Sequence, residues 1–218
     1  YSSEIGSKIY RKLRKGGLIM AREHFKAGAL EAPVPAVMVS VGDMEKSNIL
    51  TVAWTGILST DPPRTYISVR PSRYSHKIIS ETGEFVINLT TERLAKATDF
   101  AGIYTGAKVD KFKKLNLTKE KSECVSAPTI AECPIALECK VFDVIHSGTH
   151  DIFMADIVSV SADSSIIDEG GRICFERAGL MAYAHGEYFA LGKKLGRFGF
   201  STDKPSKKKR RKPPVSNK

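Results

Sequence analysis

The segment RPSRYSHKII, residues 70–79, places three polar side chains at the start of a predicted helix: Ser72, Arg73 and Ser75. Free backbone N–H groups and the helix dipole favour an anion at such a position, and hydroxyl and guanidinium groups add hydrogen-bond donors. The segment therefore predicts a phosphate site. The structural alternative is that Ser72 caps the helix and Arg73 is solvated.

Two further side chains stand where they could contact a ligand. Lys111, in the run DKF, could supply a positive charge, and His150, in a turn before a long predicted strand, could donate a hydrogen bond. Each also has a structural interpretation. A helix that carries Lys108, Lys113 and Lys114 beside Lys111 is usually a solvated face, and a turn histidine often bonds to its own loop.

The sequence offers no pattern for hydrolytic or metal-dependent catalysis. The four cysteines, Cys124, Cys133, Cys139 and Cys174, form no C-x-x-C pair, and no nearby histidine completes a zinc-ligand pattern. The spacing supports neither a Ser/His/Asp nor a Cys/His arrangement. We therefore expect free, buried thiols in a reducing compartment, no metal and no catalytic side chain.

The positive charge of the chain lies at its ends. The 218 residues carry a formal charge of +10, of which residues 1–26 contribute +5 and residues 201–218 contribute +7, so that residues 27–200 carry −2. A nearly neutral body does not present the basic face that binding to nucleic-acid phosphates requires. Nucleic-acid binding is therefore not expected, except through the basic tails.

The composition predicts a soluble, cytoplasmic protein. Hydrophobic residues make up 42% of the chain, and no apolar run approaches the roughly 18–20 residues needed to cross a bilayer. Residues 1–20 lack a signal-peptide core with a cleavage site, so we expect no membrane partner. The chain divides into an N-terminal basic arm over 1–31, a folded domain over 32–201 and a basic disordered tail over 202–218.

Short apolar stretches rich in β-branched residues predict a mainly β fold. The predicted strands are residues 36–41, 49–54, 65–69, 84–89, 135–146, 151–162, 181–185 and 187–191, and the predicted helices are 18–30, 74–81 and 91–104. The strands 135–146 and 151–162 exceed the usual five or six residues, which favours a coiled hairpin in a barrel wall. There is no regular βαβ alternation with a G-x-G-x-x-G turn, which argues against a doubly wound nucleotide-binding fold.

Four segments, in this order, carry a resemblance to a known family: SNILTVAWTGILSTDPPRTYISVRPSRYSHKIISETGEFVINL (47–89), GAKVDKFKKLNL (106–117), GTHDIFMADIVSV (148–160) and HGEYFALGKKLGRFGFS (185–201). Together they resemble the flavin reductase-like family of FMN-binding split-barrel proteins, most closely its flavoredoxin branch. The resemblance covers about residues 32–201. It implies a homodimer of Greek-key split β-barrels, each holding non-covalent FMN near the subunit interface.

The resemblance also implies which residues contact the flavin. Asn48, Thr51 and the main chain of Ala53, Trp54 and Thr55 would contact the isoalloxazine, while Ser72, Arg73 and Ser75 would bind the phosphate. Lys111 would stabilise negative charge at flavin N1 and the C2 oxygen, and Phe112 would pack on the ring. His150 would donate to a flavin carbonyl, the phosphate or the ribityl chain, and Tyr183 would cover the ring.

Three functions remain open at this point. The first is an FMN-dependent oxidoreductase that receives electrons from NAD(P)H, as a transient donor, or from a redox protein. The second is a flavin-binding protein without turnover. The third is a polyanion-binding protein that acts through the run KPSKKKRRKPP at 204–214, which has no aromatic residue for base stacking.

Overall fold

The structure is a computed structural model that describes residues 13–14, 17–18 and 22–203. The chain divides into two compact units between Glu31 and Ala32. All residues of the candidate site lie in the second unit.

The N-terminal unit does not contain the helix predicted over 18–30. Leu13–Arg14 (β1) pairs antiparallel with Gly17–Leu18 (β2), so residue 18 belongs to a strand. Residues 22–30 have no regular secondary structure. A helix of this length is marginal without tertiary packing, and Gly28 lowers its helix propensity further. The helix prediction is therefore wrong for this segment.

The second unit is built from short strands with three α-helices between them, counted over residues 32–203. The strands are β3 (Val34–Pro35), β4 (Val37–Gly42), β5 (Ser47–Val52), β6 (Thr55–Thr60), β7 (Pro63–Val69), β8 (Glu84–Leu89), β9 (Lys119–Glu120), β10 (Thr129–Ile130), β11 (Ile135–Ser147), β12 (His150–Ala162), β13 (Met181–Ala184) and β14 (Glu187–Ala190). The helices are α1 (Tyr74–Thr82), α2 (Ala95–Ile103) and α3 (Lys111–Leu115).

Seven of these strands form one antiparallel sheet in the order β5-β4-β8-β11-β12-β7-β6. Its two edge strands, β5 and β6, are consecutive in the chain and are separated only by Ala53 and Trp54. The Ser68 N–H of β7 donates to the Trp54 carbonyl at 2.9 Å. The sheet therefore curls until its edges meet at residues 53–54, which gives a barrel. β13 and β14 form a separate small sheet with β3.

The alternation of side chains along β4 explains the two main apolar clusters. Val37, Val39 and Val41 point into the barrel, where they pack with residues such as Phe85 and Phe153. Met38 points to the other face and packs beneath the helices with Ile49, Ala101, Phe112 and Ile130. The outer cluster holds α2 and α3 against β5, which brings both helices to one end of the barrel.

Most of the predicted elements are present. The long hairpin is formed by β11 and β12, of 13 residues each, with two register shifts that bend it. Helix 74–81 corresponds to α1, and the predicted helix 91–104 is a 3₁₀ turn at Glu92–Leu94 that continues into α2. Strand β6 was not predicted, because Gly56 and the polar residues at its end indicate a turn.

Within the described residues, no helix is long and apolar enough to cross a membrane.

Most of the basic arm predicted over 1–31 lies outside the described residues, and so does the tail after Asp203. Cys133, Cys139 and Cys174 are buried, whereas Cys124 is exposed.

Candidate functional site

Two adjoining cavities lie where β5 passes into β6 and where the N-terminus of α1 follows β7. The larger has a volume of about 600 Å³ and the smaller about 210 Å³. They share Leu50, Arg70 and Arg73 in their linings, so the two form one continuous site. Their combined size is within the range of cofactor-binding clefts.

The smaller cavity is built for an anion. The N-cap residue of α1 is Arg73, in an extended conformation, and no side chain in the described part of the chain caps this helix. Its N-terminal dipole therefore faces the cavity that Ser72, Arg73 and Ser75 line. Arg70 and Lys111 add positive charge, and no described Asp or Glu lines this cavity. The alternative interpretation, that Ser72 caps the helix, is therefore wrong.

Lys111 is buried, contrary to the solvated helix face that its lysine neighbours indicated. Only 2% of the residue is exposed, and its Nζ donates to the carbonyls of Ile49 at 2.6 Å and Ala101 at 2.7 Å. Burial and, secondarily, the guanidinium of Arg73 lower the pKa of Lys111 to about 8. An ammonium group has three donors, so one remains for a ligand in the smaller cavity.

Asn48 forms the inner wall of the smaller cavity. Its Nδ2 donates to Ser75 Oγ at 2.8 Å, which ties β5 to the first turn of α1. The loop before α3 passes so close that a Cβ at Gly106 would lie 2.2 Å from Asn48 Oδ1. A glycine is therefore required at 106 for this wall to form.

The larger cavity has an aromatic wall on the barrel side. The rings of Trp54 and His150 lie 4.5 Å apart, and Trp54 remains 44% exposed. Partial burial lowers the pKa of His150, and Arg70 and Arg73 lower it further, whereas Asp151 acts in the opposite direction. The imidazole is therefore neutral at pH 7, with one donor and one acceptor nitrogen. Its Nδ1 contacts Thr149 Oγ1 at 2.9 Å, so it also bonds within its own turn.

The opposite wall comes from β13, β14 and α2. Tyr183 and Tyr188 meet edge to face at 5.3 Å, and the Tyr188 hydroxyl donates to Asp99 Oδ1 at 3.3 Å. Burial, together with the nearby Asp99 carboxylate, raises the pKa of Tyr188 to about 12. This wall therefore presents neutral aromatic surface and a single carboxylate, whereas the cations lie at the other end of the site.

The arrangement accepts a ligand with a flat apolar ring and an anionic end. A sequence family model, the flavin reductase like domain, matches residues 30–192. The chain belongs to this family. The resemblance that the sequence indicated is therefore confirmed, and flavin is the ring system that the family name specifies.

Two relatives of this flavin reductase-like chain come from an archaeon and a bacterium. An uncharacterized protein of Archaeoglobus fulgidus is 38% identical over 128 residues, which cover 59% of this chain and 72% of the relative. The NADH-dependent FAD reductase of Streptomyces globisporus is 24% identical over 144 residues, which cover 64% of this chain and 78% of that protein.

Among solved structures, the flavoredoxin of Desulfovibrio vulgaris (Miyazaki F) has a TM-score of 0.78 and 31% identity to the flavin reductase-like chain. The match covers 84% of this chain and all of the flavoredoxin. The predicted mainly β split barrel is confirmed.

The fold of the flavin reductase-like chain brings ten of the twelve predicted site residues to the two cavities. Asn48, Ser72, Arg73, Ser75 and Lys111 line the smaller one, and Thr51, Ala53, Trp54, Arg73, His150 and Tyr183 line the larger one. Lys111 therefore lies with the predicted phosphate residues, in the smaller cavity.

Thr55 and Phe112 line neither cavity. The Thr55 hydroxyl donates to the Tyr66 carbonyl at 2.6 Å, within the β6–β7 pair. Phe112 is buried in the outer apolar cluster beside Met38, because successive residues of a helix point about 100° apart and Lys111 faces the cavity. The predicted contacts of the Thr55 main chain and of the Phe112 ring with a flavin therefore stay predictions.

The sequence analysis missed several lining residues of the flavin reductase-like site. Arg70 stands two positions before Ser72 in the segment already singled out, so its position alone could have indicated it. Asp99, Gly102 and Tyr188 come from distant segments and carry no local signal.

Proposed function

We propose that this chain binds FMN non-covalently and acts as a flavin reductase-like oxidoreductase. The observation that carries the proposal is the direct junction of an anion cavity with an aromatic cavity at Arg70 and Arg73. A dianionic phosphate fits the first cavity, and a tricyclic ring fits the second.

The donor set of the smaller cavity matches a terminal phosphate. Arg70, Arg73 and Lys111 supply positive charge, and Ser72 and Ser75 supply hydroxyl groups. A phosphate monoester carries a charge near −2 and offers three acceptor oxygens, so this set can neutralise and bind it.

The larger cavity would hold the flavin ring, and a bound flavin would supply the redox chemistry by accepting electrons from a nicotinamide or another carrier. Trp54, His150, Tyr183 and Tyr188 would provide the aromatic lining for the ring. Arg70, which lines both cavities, would favour negative charge on a bound flavin.

NAD(P)H is the proposed transient donor. Trp54 and Ile103 line the larger cavity and are exposed, so a nicotinamide could approach a ring bound there. The name of the Streptomyces globisporus relative supports NADH as one such donor. A redox protein is the alternative donor or acceptor.

We further propose that the protein acts as a homodimer in the cytoplasm. Apolar side chains remain exposed along β6 and the long hairpin, including Ile57, Phe142, Ile145 and Val160. These side chains all lie on strands of the seven-stranded sheet, where they are available for contact with a second copy of the chain. The described thiols form no disulfide, which agrees with a reducing compartment.

The test is flavin uptake followed by turnover. The protein is incubated with FMN, desalted and examined by absorption spectroscopy, and NADH or NADPH oxidation is then measured with the complex. The control for Arg73→Gln is Arg93→Gln, an exposed arginine that lines neither cavity. We expect a yellow complex that oxidises NAD(P)H and is weakened only by Arg73→Gln.

The outcomes separate the three functions. FMN binding without NAD(P)H oxidation or reduction by another carrier would favour a flavin-binding protein without turnover. A colourless protein that takes up no FMN would contradict the proposal. If deletion of residues 202–218 abolishes binding to a polyanion while FMN binding persists, polyanion binding belongs to the tail and is separate from the function of the folded domain.

A further inference from the structure

A carboxylate next to the site connects two histidines from different elements. Asp151 Oδ2 lies 2.6 Å from His76 Nε2, and Asp151 Oδ1 lies 2.7 Å from His146 Nδ1. The Asp151 side chain is only 11% exposed and that of His76 only 16%, whereas that of His146 is 83% exposed. The inner half of this bridge is thus shielded from water, where a charge-assisted hydrogen bond is strong.

The direction of the two hydrogen bonds follows from the ionisation of the carboxylate. The hydrogen bond from His146, and secondarily the one from His76, lower the pKa of Asp151. An ionised carboxylate only accepts, so His76 Nε2 and His146 Nδ1 both carry the donated protons.

The bridge joins the parts of the structure that form the two cavities. His76 lies in the first turn of α1, directly after Ser75, and its backbone N–H donates to the Arg73 carbonyl at 2.9 Å. On the other side, Asp151 directly follows His150 and is paired with Val69 of β7. The first residue after β7 is Arg70, which lines both cavities.

We propose that Asp151 is a positioning residue. Through its contact with His76 it fixes the first turn of α1 to β12, and this holds the smaller cavity in a fixed position relative to the larger one. The inference rests on the proposed function, since it concerns how the FMN phosphate is held. Asp151 and His76 line neither cavity, so they act through Arg73, Ser75 and His150.

The alternative is that the bridge only stabilises the fold. Riboflavin distinguishes the two, because it has the same ring as FMN and no phosphate. Loss of positioning at α1 weakens FMN binding and leaves riboflavin binding nearly unchanged, whereas general destabilisation weakens both.

The experiment compares dissociation constants for FMN and riboflavin in four variants of the full chain. Asp151→Asn removes the negative charge and one of the two acceptor oxygens, His76→Leu removes the His76 donor, and His76→Gln keeps an N–H donor near the position of Nε2. Asp156→Asn is the matched control, because Asp156 lies on the same strand, accepts from Arg64 Nε at 2.8 Å and lines neither cavity.

We expect Asp151→Asn and His76→Leu to weaken FMN binding by roughly tenfold, as for other residues that orient direct ligands. Riboflavin binding should change by less than about twofold, the smallest effect such a titration resolves. His76→Gln should restore most of the FMN affinity, and Asp156→Asn should match the wild type. In proton NMR, a slowly exchanging downfield imidazole N–H signal of His76 should be present in the wild type and Asp156→Asn, and absent in Asp151→Asn.

Equal losses for FMN and riboflavin, or no loss for either, would overturn the inference while the wild type still binds FMN. Failure of the wild type to bind FMN would refute the proposed function, and this inference with it. If Asp151→Asn does not fold, the difference between His76→Leu and His76→Gln decides the question. A ratio of FMN to riboflavin affinity that is equal in those two variants would refute it.

Discussion

The burial of Lys111 predicts a specific pH dependence of FMN binding. Its pKa of about 8 means that the ammonium is charged below that pH and loses its proton above it. The phosphate of free FMN becomes a dianion above its second pKa, near 6. The FMN affinity should therefore rise as the pH passes about 6 and fall as it passes about 8.

The size of the fall above pH 8 follows from the same pKa. At pH 9, one unit above the pKa of Lys111, only about one-tenth of the chains carry the charge before FMN binds. A hydrogen bond to a charged group contributes about 1.5–3 kcal/mol, which is tenfold or more in affinity. The dissociation constant for FMN should therefore increase about tenfold between pH 7 and pH 9.

Fluorescence titration with FMN and with riboflavin between pH 5.5 and pH 9.5, roughly the span of the two pKa values, measures both limbs of this curve. Lys111→Met should weaken FMN binding at pH 7 and remove the fall above pH 8, while riboflavin binding should vary little with pH in both proteins. Lys113→Met is the control, because Lys113 lies on the same short helix and lines neither cavity. This reasoning is refuted if the affinity for FMN is constant from pH 7 to pH 9.5, or if the affinity for riboflavin falls above pH 8 by the same factor as the affinity for FMN.

Three substitutions test other parts of the site. Arg73→Gln should weaken FMN binding by about 10- to 100-fold in titrations and riboflavin binding much less, because one charged donor to the phosphate is lost. Trp54→Ala should weaken both flavins about two- to tenfold, since it removes aromatic contact with the ring; unchanged riboflavin binding would contradict this. Gly106→Ala should lower the unfolding free energy by about 1–3 kcal/mol in urea denaturation, because the new Cβ displaces Asn48. A urea midpoint equal to that of the wild type would contradict this expectation.

Much of the barrel could be predicted from local sequence, and its closure could not. Alternation of apolar residues indicates a strand wherever one face is buried, as in β7. The predicted strand 49–54 ran two residues past the end of β5, because nothing local marks the bend at Ala53 and Trp54 where the sheet edges meet. Strand β6 was missed because Gly56 and the polar residues at its end indicate a turn, whereas its pairing with β7 is what makes it a strand.

The candidate site shows the same division between local and tertiary information. The anion cavity is centred on one continuous segment, Ser72–Ser75, which the start of a helix makes recognisable. The burial of Lys111 depends on carbonyls of β5 and α2, so a lysine-rich helix gave no sign of it. The phenol of Tyr188 enters the site only because β14 folds back beside α2, and the sequence carries no trace of that contact.

A crystal structure of the chain with FMN would show whether the two cavities bind the phosphate and the ring. We expect the phosphate in the smaller cavity, within hydrogen-bond distance of Arg73 and Ser75, and the ring in the larger cavity beside Trp54. Ring density outside the larger cavity, or a phosphate that points into solvent away from Arg73, would contradict it.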